Sequence, residues 1–144
     1  MTKAEWFRAY SESHRNPVNL KIHKVCVPAI VYAQTGLLWA IPAPAGWPPG
    51  IFAISELFLA LLFYVSWRDP ILVLKLFAYF VLPNIAFWYY VELAMPTAVL
   101  PLAATVFIAA WIGQFVGHKV EGKKPSFFQD IQFLLIGPAW ILGR

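Results

Sequence analysis

The chain has 144 residues, of which 60% are hydrophobic and only 12% charged. A soluble domain of this size carries roughly a quarter charged residues, so composition points to one integral membrane domain over 1–144 and excludes an ordinary soluble enzyme. The net charge of +4 is no nucleic-acid signal, because the basic residues gather at segment ends, as membrane topology requires.

In chain order, residues 2–14 read as an amphipathic surface helix. Thr2 and Glu5 match a capping box, and Trp6, Tyr10 and His14 form a stripe on one face. The stretch is polar and charged through residue 24, with no early apolar core, so no cleavable signal peptide is expected. Pro17 interrupts the helix that follows. Asn16 suits an N-cap and Pro17 the first helical position. His14 then falls at the end of one helix and His23 in the second turn of the next, and the corner between them lets both imidazoles face one point.

Four apolar spans are expected, over 25–41, 51–67, 71–91 and 97–117. Pro28 lies in the first turns of the first span, and Gln34 and Thr35 should face other helices. The lone cysteine, Cys26, excludes an internal disulfide and reads as a packing residue. The loop 42–50 is rich in Pro and Gly and uncharged, with Trp39 and Trp47 suited to an interfacial belt. Glu56 lies inside the second span. It is a functional-site candidate by position; the plainer reading is a protonated or hydrogen-bonded group that pins two helices together. It falls near the opposite end of its span from the histidine segments. In the third span, Lys75 can snorkel and Asn84 should repair the hydrogen bonding broken by Pro83. A short loop over 92–96 leads to the fourth span. Ser126 and Gln129 suggest a second capping box, opening an interfacial or re-entrant helix over 127–142 that breaks at Gly137-Pro138. The fold class is therefore all-α.

Lys and Arg are absent from the loops 42–50 and 92–96 and crowd the N-terminus, the turn at 68–69 and the segment 119–124. The positive-inside rule places both termini and all three histidines on the cytoplasmic side, of a bacterial inner membrane or of the endoplasmic reticulum in a eukaryote.

Two segments carry the chemistry. Tyr10 lies four residues before His14, and Asn19 four before His23, so either can orient a histidine. Gln114, His118 and Glu121 share one face of a helix, with Glu121 placed as a ligand or as an acceptor behind one. Histidine is the commonest side-chain metal ligand, yet on spacing alone the three histidines serve equally well as interfacial anchors.

The pattern Tyr10…His14-x-Asn16-Pro17-x-Asn19-x3-His23, followed by Gln114-x2-Gly117-His118-x2-Glu121-x3-Pro125 and Gly137-Pro138, resembles the membrane-embedded 2-hydroxy fatty acid dioxygenases of fatty acid α-oxidation, a family long catalogued as a domain of unknown function. The resemblance covers nearly the whole chain. One departure is the stretch 88–93, where some eukaryotic members carry a further histidine and this chain has none. The resemblance implies an Fe(II)-dependent enzyme that uses O2 to shorten a long-chain 2-hydroxy fatty acid by one carbon. His14, His23 and His118 would hold the iron, with Glu121 beside them. Tyr10, Asn19 and Gln114 would support the ligands or the substrate, and Lys24, Lys119 or Lys123 would neutralise the carboxylate. The acyl tail would run among the spans. The alternative is a non-catalytic membrane protein, a metal- or haem-carrying subunit or a helical scaffold. A transporter would need a polar path that Gln34, Glu56, Asn84 and Gln114 are too few to build.

Overall fold

The computed structural model describes residues 1–90, 96–122 and 127–143, the side chains of 96–97 and 127–133 excepted. Among the described residues there are six helices and no strands: α1 (Lys3–Glu12), α2 (Pro17–Trp39), α3 (Ile51–Val65), α4 (Pro70–Tyr89), α5 (Pro96–Glu121) and α6 (Phe127–Leu142). The all-α class is as expected. The loop at 92–96, apart from Pro96, which opens α5, and the side chains of the second capping box lie outside the described residues.

Local rules account for the first helix ends. Thr2 Oγ1 accepts from the Glu5 N–H at 3.3 Å, and Glu5 Oε2 accepts from the Thr2 N–H at 2.7 Å, the reciprocal pair of a capping box. Asn16 Oδ1 accepts from the Val18 N–H at 2.9 Å, with Pro17 in the first turn. Such caps each contribute about 1 kcal/mol.

The helices run past the limits that the apolar runs suggest. α2 begins at Pro17, so its first two turns are polar and Pro28 falls in its middle. α5 continues beyond the apolar run to Glu121. α6 does not break at Gly137-Pro138; it runs on to Leu142. Pro138 is fully buried, and Ile136 and Trp140 on either side pack against Tyr10, so tertiary packing holds the helix through the proline.

Among the described residues two helices, not four, are long and apolar enough to cross a membrane: Pro70–Tyr89 and Ala98–Glu121. α3 has 15 residues, a rise of about 22 Å against a hydrocarbon core of ~30 Å. α2 is long, but Lys21, His23 and Lys24 occupy its polar start.

α2 is the central helix. It packs most extensively against α5 and also touches α3, α4 and α6, while α1 lies on α6. Small residues permit the α2–α5 contact. A Cβ at Gly113 would stand 2.5 Å from Cys26 Sγ, and one at Gly36 would stand 3.0 Å from the Ala103 Cβ. α3 runs back alongside α2, with Gly50 at its start under the Trp39 ring. Trp39 is buried rather than interfacial and donates from Nε1 to Asn84 Oδ1 at 2.9 Å. Asn84 Nδ2 donates to Phe80 O at 3.0 Å; the carbonyl left open by Pro83 is that of Tyr79, so Asn84 ties α4 to α2 instead of repairing the break. Gln34 on α2 donates to Glu56 on α3, which gives Glu56 the pinning contact.

One end of the molecule gathers α1, the α3–α4 turn and the end of α5. There Lys3 Nζ and Asp69 Oδ2 form an ion pair at 2.7 Å. Lys75 Nζ reaches the Leu142 carbonyl at 3.2 Å, closing the end of α6. The main core joins Val31, Ala60, Tyr64, Leu72, Leu76 and Phe80. Tyr64 is fully buried and its hydroxyl donates to the Leu135 carbonyl, linking α3 to α6. Tyr64→Phe removes that bond without opening a cavity, and thermal unfolding in detergent should show a loss of about 1 kcal/mol.

Candidate functional site

The corner between α1 and α2 builds half of the site. α1 ends at Glu12 with Ser13 as its C-cap, and the Ser13 and His14 N–H groups close turns onto Tyr10 and Ser11 carbonyls at 3.1 and 3.2 Å. This places His14 directly under the last turn. Its ring stacks flat on that of Tyr10, with centroids 3.9 Å apart and planes at 4°. α5 delivers the other half. His14, His23 and His118 are all buried, with ring centroids 4.2 Å apart for His14–His23, 5.0 Å for His23–His118 and 5.9 Å for His14–His118. The structure thus brings together the three histidines that the sequence separates.

Hydrogen bonds assign the protons. His14 Nδ1 lies 2.7 Å from the Tyr10 carbonyl, which can only accept, so Nδ1 carries the hydrogen. His14 Nε2 lies 2.9 Å from His23 Nδ1. With both rings neutral, His14 Nε2 accepts from His23 Nδ1–H, and His23 Nε2 keeps a bare lone pair. That atom is buried with no hydrogen-bond partner among the described residues. Burial lowers the His23 pKa to about 3, the neighbouring His14 and His118 lowering it further against a smaller opposing effect of Glu121. His23 is therefore neutral at ordinary pH, the state in which an imidazole ligates a metal.

Glu121 holds the two halves together. Its Oε1 accepts from the Arg15 N–H at 3.0 Å, and its Oε2 from the Asn16 N–H and Asn19 Nδ2, both at 2.9 Å. Burial opposes its ionisation, but the Asn16, Asn19 and Arg15 donors outweigh that, with His14 assisting, and hold its carboxyl below the usual range. The carboxylate is placed on the α1–α2 corner. Asn19 also serves that corner, through Nδ2 to the Ser13 carbonyl at 3.3 Å, rather than a histidine ring. Tyr10 supports His14 by its backbone carbonyl and ring face.

Gly117 is a residue whose role spacing did not single out. A Cβ there would strike Asn19 Oδ1 and stand 3.2 and 3.3 Å from His23 Cδ2 and Nε2. The signal was present as two glycines four apart, Gly113 and Gly117, a small-residue spacing that lets helix backbones approach.

His14, His23, His118 and Gln114 border a cavity of about 10 Å³, the scale of one water or one ion. Gln114 is buried and its Oε1 has no partner among the described residues. Trp111 and Leu134 border this cavity and also an apolar cleft of about 1050 Å³ between α2, α3 and α5. Lys24 and Lys119 are exposed, each one residue on from a histidine and so turned about 100° from the buried face. Lys123 lies outside the described residues.

Among the described residues no three His, Cys, Asp or Glu side chains stand in the arrangement of a formed metal site, because two histidine nitrogens are engaged with each other. Three neutral imidazoles are donors of the kind that a divalent transition metal takes, and a metal held by all three would have to replace the His14–His23 hydrogen bond. His23 offers a buried unused lone pair, next to a void of ionic size.

A family model described as 2-hydroxy-palmitic acid dioxygenase Mpo1-like matches residues 1–143. No curated protein and no solved structure matches the chain.

The Glu121 clamp has a pH signature. Its carboxyl is lowered from 4.5 in the folded protein, so its contribution to stability is complete above that value and is lost as pH falls through the folded pKa. Glu121→Gln should therefore unfold at a lower temperature than the wild type at pH 7. The difference should shrink towards zero as thermal scans are taken to acid below the usual carboxylate range.

Proposed function

Because this chain belongs to the 2-hydroxy-palmitic acid dioxygenase Mpo1-like family, we propose that it is an Fe(II)-dependent dioxygenase that uses O2 to shorten a long-chain 2-hydroxy fatty acid by one carbon. The observation that carries the reading is the buried meeting of His14, His23 and His118, with His23 Nε2 unpartnered among the described residues, beside a large apolar cleft. A polar centre at the end of an apolar cleft suits a ligand with a polar head and a long tail.

In this reading His14, His23 and His118 hold the iron. Iron(II) supplies the O2-dependent redox chemistry that imidazoles alone lack. The protein's part is positioning. The Tyr10 carbonyl fixes the His14 tautomer and ring direction. Glu121 fixes the corner on which His14 sits. Gln114 Oε1 accepts a hydrogen bond from the substrate's 2-hydroxyl, for which it has an unused lone pair in the buried cavity. Lys24 and Lys119 draw the carboxylate towards this end of the molecule. The cleft takes the acyl tail and keeps water from the head.

The reading also places α2 to α5 in a bilayer. Large apolar side chains such as Phe58, Leu62, Leu74, Phe77, Leu82 and Ile108 are exposed, an exterior that water would not favour. The histidine end carries Lys3, Arg15, Lys24, Arg68 and Lys119, and the loop 42–50 at the other end carries no charge, so the histidines face the cytoplasm.

Anaerobic loading of detergent-purified protein with Fe(II) should give about one iron per chain. His14→Ala, His23→Ala and His118→Ala should each lose it. The loaded wild type, given 2-hydroxyhexadecanoate and O2, should release the acid one carbon shorter. A folded wild type that takes up no Fe(II), or three variants that retain it, would overturn the assignment.

A further inference from the structure

The apolar cleft holds a polar pair on its wall. Gln34 on α2 donates through Nε2 to Glu56 Oε1 on α3, and both side chains line the cleft among hydrocarbon neighbours such as Leu38, Phe52, Leu59 and Phe107. A carboxyl and an amide on such a wall are costly to desolvate, and each is satisfied mainly by the other. Two apolar side chains would fill the place at less cost, so the pair's contribution is better sought in what it does to an occupant.

Its position along the cleft is set by helix geometry. Gln34 is eleven residues beyond His23 on α2, about 16 Å along the axis at 1.5 Å per residue. An extended hydrocarbon chain advances about 1.25 Å for each C–C bond of ~1.5 Å, so about 13 bonds cover the same distance. An acid whose first two carbons lie at the histidines meets the pair near carbon 15. The cleft continues past the pair for about one further turn, to Leu38 and Phe52, room for about five more bonds.

We propose that the Gln34–Glu56 pair is the length stop of the acyl site, a polar crossbar that a tail reaches but does not pass. The occupant rests on the function proposed above; the stop itself rests on the placement of the pair. Pushing methylenes across it separates amide from carboxyl and leaves both against hydrocarbon. The tail stops short instead, and longer chains must turn their last carbons out of the cleft or draw the head off the histidines.

The test needs no iron. Unlabelled 2-hydroxy fatty acids of about 10 to 22 carbons compete with radiolabelled 2-hydroxyhexadecanoate for the apo protein in one detergent. A methylene moving from micelle to cleft changes little, so apparent affinity should stay level up to about 15 or 16 carbons. Beyond that it should fall by up to about fourfold per carbon, the hydrophobic value of one methylene. The double variant Gln34→Ala, Glu56→Ala should move the fall about four or five carbons longer, since the distal turn then opens. Leu59→Trp, on an exposed wall residue three positions nearer the histidine end of α3, should move it about three or four carbons shorter. It carries the test on its own where the double variant does not fold.

A wild-type profile with no fall up to the longest acid overturns the stop, since the tail then leaves the cleft freely. So does a fall that stays put in a folded variant. The two proposals fail separately. Iron-dependent turnover with a level profile removes the stop and keeps the reaction. A fall that shifts in the variants without any turnover keeps the stop and removes the reaction.

Discussion

The contact on which the rest depends is the Glu121 carboxylate on the corner between α1 and α2. At the end of its own helix a negative charge is unfavourable, because the carbonyl end of the dipole already carries partial negative charge. Beside the start of α2 the same charge is favourable, for there the backbone N–H groups have no helical partner. Glu121 therefore strains α5 when alone and stabilises the pair when α2 is in place. Three donors, the Arg15 and Asn16 N–H groups and Asn19 Nδ2, meet its two oxygens. Because His14 lies just before these donors and His118 just before the carboxylate in sequence, closing this contact carries two histidines to the third. The site is a consequence of how the two chain ends are locked together.

The lock works only if the helices come close. Gly117 lies where any side chain would strike Asn19 and crowd His23, and Gly113 lies under Cys26. Close approach confers order at the price of leaving some polar atoms without room for water. Of the four buried side-chain atoms without a partner among the described residues, three are at this end: Asn19 Oδ1, His23 Nε2 and Gln114 Oε1; the fourth is the Tyr79 hydroxyl. Each such atom costs about 1–3 kcal/mol. Deeper in the molecule the polar groups are matched, Trp39 with Asn84 and Gln34 with Glu56. Among the described residues, unmet hydrogen-bonding capacity is concentrated where the histidines are.

What was legible in the sequence was local. The Thr2–Glu5 box, the Asn16–Pro17 helix start and the corner that turns His14 towards His23 follow from rules spanning four residues or fewer, and the structure has them. Charge distribution and the apolar runs placed His118 only at the same face as the other two; that the three rings meet is set by the packing of α5 on α2. Facts that depend on which helix faces which were not legible. The buried Trp39, the continuity of α6 through Pro138 and the engagement of Glu121 with backbone donors are all set by partners distant in sequence. The apolar runs misled on extent elsewhere: α5 continues past its run to Glu121, and α3 is too short to span alone.

Under the proposed function, the arrangement would divide the work of recognition in a way suited to a lipid ligand. A fatty acid reaching this protein from a bilayer already has its tail in hydrocarbon, so moving that tail into the cleft releases little free energy, whatever the ~0.8 kcal/mol per methylene gained on leaving water. The tail can select by shape and length but cannot supply much affinity. On that reading affinity has to come from the head, which would meet the unmatched carbonyl of Gln114 and the metal that the histidines, His23 through its bare lone pair, would hold. Leaving such groups unpaired lowers stability without a ligand, and satisfying them returns that free energy as binding. A neutral His23, kept so by burial, avoids the larger cost of an uncompensated buried charge and preserves the lone pair. On the proposed function, the apolar cleft and the polar cluster are complementary solutions to one problem: holding an amphipathic molecule whose apolar part has no reason to leave the membrane.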